Sequence, residues 1–153
     1  MRASIRQLWS RKVRQLRNKR FLDAAMAAGA LVSTADGVVR LSEQLALDEL
    51  IARMDKLEVF DKHAGVDLHR SFVEGIEADP EPGRRAAIRA VSAFRGDAEQ
   101  GQLILYVGAA IARADLELSQ TERRALEEIC DALGLEAGPS LERVFGEGDP
   151  PAA

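Results

Sequence analysis

The feature that most constrains this chain is a pattern that it contains twice. The segment 29–43 recurs without a gap as 108–122, each residue lying 79 positions after its counterpart. Agreement at one offset over this length indicates an internal duplication of a supersecondary unit. The pairs that are identical or stay apolar are Gly29/Gly108, Ala30/Ala109, Val32/Ile111, Ala35/Ala114, Asp36/Asp115, Val39/Leu118, Glu43/Glu122, Ala46/Ala125, Leu47/Leu126, Glu49/Glu128, Leu50/Ile129 and Met54/Leu133.

Each copy of the pattern predicts two helices joined by a short loop that carries an Asp and a Glu. An Asp at the end of a helix opposes the helix dipole unless a positive charge lies nearby. Because this occurs twice, Asp36, Glu43, Asp115 and Glu122 are candidate ligands for a divalent metal. Carboxylate oxygens are hard donors, so calcium or magnesium is expected rather than zinc or copper. The first loop lacks the EF-hand spacing, and a helix cap followed by a turn is the competing interpretation.

The remaining periodicity predicts an all-α fold, a single compact bundle of about seven to eight helices with a pseudo-twofold duplication. We expect residues 1–20 to form a basic amphipathic arm, residues 21–146 the helical domain and residues 147–153 a disordered tail. In the first half, helices are predicted over 4–20 and 20–35, a third that begins at Ser42 and a fourth that begins after Asp61. Residues 79–83 are predicted to form a loop between the halves. In the second half, helices are predicted over 84–94, after Asp97, from the capping box Ser119–Glu122 to Gly134, and over 139–145.

The charge is divided unevenly along the chain. Residues 1–20 carry eight of the 21 Lys and Arg residues and none of the 25 acidic ones, so the remainder has a net charge of −12. An acidic body repels nucleic acid and attracts cations, which excludes nucleic acid as a partner. The arm is expected either to lie on the body or to bind an anionic membrane surface or a protein partner through residues 2–20.

Nothing in the sequence predicts catalysis. The chain has no glycine-rich phosphate loop, no Ser/His/Asp ordering and no cluster of His or Cys. Cys130 lies on an apolar stripe and is expected in the core, whereas His63 and Asp67, four residues apart, are expected to be solvated. His69 has no strong second ligand within helical reach. No uncharged run reaches the ~20 residues of a membrane span.

Four segments of the chain resemble the TerB family of tellurite-resistance proteins. They are Arg-Asn-Lys-Arg-Phe at 17–21, Ala-Asp-Gly at 35–37, Leu-Glu-Val-Phe-Asp at 57–61 and the second Ala-Asp…Glu at 114–122. The resemblance runs from about residue 15 to residue 135. It implies an all-helical bacterial cytoplasmic domain of about seven helices with internal pseudo-symmetry and no established catalytic activity.

The resemblance also implies a role in tellurite and general stress resistance and divalent-metal binding through acidic loops. It implies association with a membrane-embedded TerC-type protein and other Ter-family proteins at the inner face of the inner membrane. The ligands carried over are Asp36, Glu43, Asp115 and Glu122. The second loop departs from the family pattern, because Leu116 stands where the family has Gly. The alternative function is a protein–protein or membrane-surface interaction module without metal.

Overall fold

The computed structural model describes residues 5–35, 45, 49, 62–112 and 119–146. Within these ranges the chain is helical and contains no strand, which confirms the predicted all-α class. Residues 45 and 49 are also helical. The helices are α1 (Ile5–Ser33), α2 (Lys62–Ala78), α3 (Pro80–Ser92), α4 (Ala98–Ala112), α5 (Gln120–Leu133) and α6 (Ala137–Gly146).

The first helix is longer than the sequence pattern suggested. Residues 4–20 and 20–35 were predicted as two helices, and this is wrong, because α1 is one helix of 29 residues. The segment contains no proline and only one glycine, Gly29, so nothing in it forces the helix to end near Arg20. The prediction of seven to eight helices counted this helix twice. Helix α2 begins at Lys62, directly after Asp61, as predicted. The predicted start at Ser42 and the tail lie outside the described residues.

The second half of α1 forms the centre of the core. It packs against α2, α3, α4 and α5, and every residue from Phe21 to Ser33 except Asp23 is buried. Six of these residues are alanines or Gly29, which let neighbouring backbones approach closely. Large side chains such as Met26 and Leu31 fill the spaces between them, and each contributes about 1.5–3 kcal/mol by burial.

Helices α1 and α4 meet through small residues on both sides. A Cβ added to Gly29 would lie 2.8 Å from Cδ1 of Ile111. A Cβ added to Gly108 would lie 3.4 Å from Cγ2 of Val32 and 3.3 Å from Cδ2 of Leu126. The two glycines therefore set how closely these central helices pack.

The connection between α2 and α3 is shorter than predicted. Residues 79–83 were expected to form a loop, but only Asp79 is non-helical, and α3 begins at Pro80. Proline fits the first turn of a helix, where its missing N–H would have had no helical acceptor. The two helices then fold back tightly: a Cβ on Gly83 would lie 2.5 Å from the carbonyl oxygen of Gly75.

Helix ends agree with the predicted caps. The backbone N–H of Gln100 donates to Oδ1 of Asp97 at 3.1 Å, which caps α4. Gly134 ends α5 with φ of 72°, a left-handed conformation that glycine adopts at little cost. None of the helices in the part of the chain that the structure describes is long and apolar enough to span a membrane.

Candidate functional site

One of the four predicted metal ligands can be located. Glu122 lies in the first turn of α5 and is only 3% exposed. Asp36, Glu43 and Asp115 lie outside the described residues, so the structure does not test their position. Among the residues that are described, no three His, Cys, Asp or Glu side chains come together as a metal site would require.

Glu122 belongs to the capping box that the sequence predicted. Its backbone N–H donates to Oγ of Ser119 at 3.1 Å, and its Oε1 accepts from the backbone N–H of Ser119 at 3.3 Å. These two bonds satisfy two of the amide groups that the start of a helix leaves without partners. Glu122 therefore has a structural role whether or not it binds a ligand.

The second carboxylate oxygen of Glu122 has no such partner. Oε2 is buried and accepts no hydrogen bond from any of the residues that the structure describes. A buried acceptor without a donor costs about 1–3 kcal/mol, so native proteins rarely keep one without a reason. The chemistry of this oxygen fits a hard cation such as calcium or magnesium, for which carboxylate oxygen is the usual ligand.

A pocket of about 550 Å³ lies between the end of α1, α2, α3 and α5. Ala35, which immediately precedes Asp36, and Thr121, which immediately precedes Glu122, both line it. The chain segments that adjoin the two predicted loops therefore reach the same pocket. Its lining residues are Thr34, Ala35, Ile76, Glu77, Pro80, Arg84, Thr121, Arg124 and Glu128.

The walls of the pocket carry two guanidinium and two carboxylate groups. Nη2 of Arg84 on α3 donates to Oε2 of Glu128 on α5 at 2.6 Å, a charge-assisted bond. Arg124 and Glu77 line the pocket from α5 and α2 and make no ion pair with another described residue. Sequence reasoning missed this grouping, because Arg84 and Glu128 lie far apart in the chain and no local motif links them.

The burial of His69 was also not predicted from the sequence. It is 3% exposed on α2, and its Nε2 lies 3.5 Å from Oγ of Ser33. The signal was present: His69 precedes Val73 by four positions and Ile76 by seven, on the face that α2 buries. It is a core histidine with a polar neighbour on α1.

Cys130 and the pair His63/Asp67 are not candidate sites. Cys130 is buried as predicted, and burial raises the pKa of its thiol to about 11, with further contributions from Asp131 and Glu127. The thiol is therefore protonated at neutral pH and is a poor nucleophile. His63 and Asp67 are both exposed, as predicted, and Oδ1 of Asp67 lies 3.9 Å from Nη1 of Arg70.

The sequence of the helical domain matches a known family. The sequence pattern described as tellurite resistance protein TerB matches residues 22–140, most of the chain. The chain belongs to the TerB family, as the sequence segments around Asp36 and Glu122 indicated, and it is related to proteins of tellurite resistance.

A relative with a known name supports the same assignment. The tellurium resistance protein TerB of an Alcaligenes species is 25% identical over 103 residues, which cover 67% of this chain and 84% of that protein. No solved structure matches the chain. The family is thus established by sequence, and the function of the site rests on the geometry above.

Proposed function

We propose that this protein is a non-enzymatic TerB-type module that binds a divalent cation, calcium or magnesium, through its two Asp–Glu loops. In this proposal it acts at the cytoplasmic face of the bacterial inner membrane, with a TerC-type membrane protein and other Ter-family proteins, in resistance to tellurite and other stress. The observation that carries the cation site is the buried, unpartnered Oε2 of Glu122.

Two further observations support a cation at this end of the molecule. Ala35 and Thr121 line the same pocket, so the chain segments that adjoin Asp36 and Glu122 lie at the same end of the molecule. The body outside residues 1–20 has a net charge of −12, which raises the local concentration of cations. Glu43 and Asp115 complete the proposed ligand set.

The test is calorimetric titration of calcium, followed by magnesium, manganese and zinc, into the protein and into Glu122→Gln. Glutamine at this position of a capping box keeps both hydrogen bonds, so the helix start is retained while the charge is lost. We expect saturable calcium binding that Glu122→Gln, Asp36→Asn and Asp115→Asn weaken. Glu127→Gln is the matched control, because Glu127 is an exposed acid on the same helix whose carboxylate pairs with Arg123.

The absence of binding by any ion, or equal weakening by Glu127→Gln and Glu122→Gln, would refute the cation site. The second function would then stand, an interaction module in which Glu122 is only a helix cap. Its specific support is the basic half of α1, which is helical from Ile5 and carries most of the eight positive charges of residues 1–20.

The membrane role of the basic half is tested with anionic phosphatidylserine vesicles. Replacing the eight Lys and Arg of residues 2–20 by Gln retains helix propensity, because all three residue types are good helix formers. We expect the native chain to co-sediment with anionic but not with neutral vesicles, and the Gln variant with neither. Equal sedimentation of both chains would exclude the arm as the membrane anchor.

We also infer that the two copies of the repeated pattern are related by a pseudo-twofold axis between α1 and α4. The supporting contacts are reciprocal: Gly29 faces Ile111, and Gly108 faces Val32. Gly108 and Ile111 are the counterparts of Gly29 and Val32 at the offset of 79 positions. A twofold axis produces this reciprocity: if a residue of the first copy contacts a residue of the second, the equivalent pair with the copies exchanged is also in contact.

A further inference from the structure

We propose that the pocket between α2, α3 and α5 binds an oxyanion group, specifically a phosphate monoester, through Arg84 and Arg124. This site adjoins the proposed cation site but uses other side chains, and the proposal does not depend on cation binding. The proposal rests on the positions of the two arginines, on the start of α5 and on the size of the pocket.

The two arginines lie close to one carboxylate. Glu128 binds Arg84 directly at 2.6 Å, and it follows Arg124 by four positions on α5, one helical turn away. The bond to Glu128 fixes the Arg84 guanidinium at the pocket wall while using one of its five N–H donors. Arg124 is exposed and makes no ion pair with a described residue, so its planar set of donors is available to a ligand.

The start of α5 adds further donors. Ser119 accepts from the amides of Glu122 and Arg123, which leaves the amides of Gln120 and Thr121 without a partner inside the helix. The positive end of the helix dipole lies at the same place and favours an anion. Thr121, in the first turn of α5, lines the pocket together with the two arginines.

The remaining lining residues define what else the ligand must have. Arg84 and Glu128 neutralise each other, so Arg124 carries the positive charge that is left in the pocket, and Glu77 on α2, which makes no ion pair with a described residue, repels an anion. Ala35, Ile76 and Pro80 supply an apolar surface. The pocket of about 550 Å³ has room for an organic group beside a phosphate, and its apolar surface favours a monoester over the free anion.

Calorimetric titration of inorganic phosphate and of phenyl phosphate into the metal-free protein tests the proposal. We expect both to bind, phenyl phosphate more tightly, and Arg124→Ala to weaken both about tenfold, the loss of a charge-assisted hydrogen bond. Arg123→Ala is the matched control, because Arg123 is the exposed neighbour that pairs with Glu127 and does not line the pocket. Arg84→Ala and its control Arg85→Ala repeat the comparison on α3.

A third variant tests the sign of the electrostatics. Glu77→Gln removes the repelling carboxylate and should tighten phosphate binding severalfold. Failure of both anions to bind, or equal weakening by Arg123→Ala and Arg124→Ala, would overturn the proposal. Glu122→Gln, which tests the cation site, should not weaken phosphate binding, so each of the two proposals can fail without the other.

Discussion

Arg84 and Glu128 join α3 to α5 through a contact of 2.6 Å on the wall of the pocket between α2, α3 and α5. The side chains are 30% and 51% exposed, so solvent screens their attraction. Exposed ion pairs of this kind contribute about 0.2–1 kcal/mol to stability. The pair therefore matters more for the shape and charge of the pocket than for holding the helices together.

The first prediction is that Arg84→Ala destabilises the protein by less than about 1 kcal/mol. The free energy of unfolding in urea measures this, with Arg85→Ala as the comparison on the same helix. A decrease of more than about 2 kcal/mol in the free energy of unfolding would show that the pair stabilises the fold far more than the exposure of its side chains indicates.

The second prediction concerns Glu122 and stability. Without divalent cations, Glu122→Gln should unfold at the same urea concentration as the native chain or a higher one, because the capping bonds remain and the buried charge is lost. Glu122→Ala removes the side-chain half of the capping box and should cost about 0.5–2 kcal/mol. At one fixed calcium concentration the native chain should gain more stability than Glu122→Gln, since a ligand that binds only the folded state stabilises it in proportion to how tightly it binds.

If calcium stabilised Glu122→Gln as much as the native chain, Glu122 would not be a ligand. This comparison is independent of the calorimetric titration, because it measures unfolding rather than heat of binding. It also separates a folding defect from a binding defect in the same variant.

The third prediction compares two glycines that face each other across α2 and α3. Gly83→Ala should destabilise by about 1–3 kcal/mol, because the new Cβ would lie 2.5 Å from a backbone oxygen that cannot move aside. Gly75→Ala meets no atom within 4 Å and lies inside α2, so it should stabilise by about 0.5–1 kcal/mol. Equal effects of the two substitutions on thermal unfolding would mean that the helices are not in this close contact.

The fourth prediction follows from the raised pKa of Cys130. Because the folded-state pKa is about 11 and the ordinary value is 9.0, the folded protein holds this proton more tightly than the unfolded chain. The contribution to stability is complete below about pH 9 and is lost as the pH rises towards 11. Cys130→Ala should reduce this pH dependence, while Asp131→Asn, which removes a neighbouring charge, should shift it to lower pH.

Thiol reactivity gives a second measurement of the same feature. At pH 8 the native protein should react with an aromatic disulfide reagent far more slowly than the protein in urea, because little thiolate forms and the sulfur is buried. Rapid reaction of the native protein would show that the α5 face around Cys130 opens readily.

Local sequence signals predicted much of the fold. The caps at Asp97 and Ser119, the stop at Gly134 and the buried position of Cys130 follow from interactions within a few residues, and the structure confirms each. The length of α1 was predicted wrongly, because the change from a basic to an alanine-rich composition near Arg20 changes the surroundings of the helix without breaking it.

The candidate site was less predictable. The sequence located Glu122 through the repeat, but it could not show that one oxygen serves the helix start while the other is buried without a donor. The pocket lined by Arg84 and Arg124 is formed by α2, α3 and α5, which meet only in the folded chain. Residues such as Arg84 and Glu128 carry no mutual signal in the sequence, and only their packing brings them into contact.

The central position of α1 has a consequence for how the chain can be divided. Helix α1 belongs to the half before Pro80, yet it packs against α3, α4 and α5 from the other half. A fragment that ends at Asp79 would leave the alanine face of α1 uncovered, and one that begins at Pro80 would expose the apolar face of α4. We expect the two fragments to be unfolded when separate and to gain helical structure only on mixing, so that the two halves of the chain behave as one cooperative folding unit.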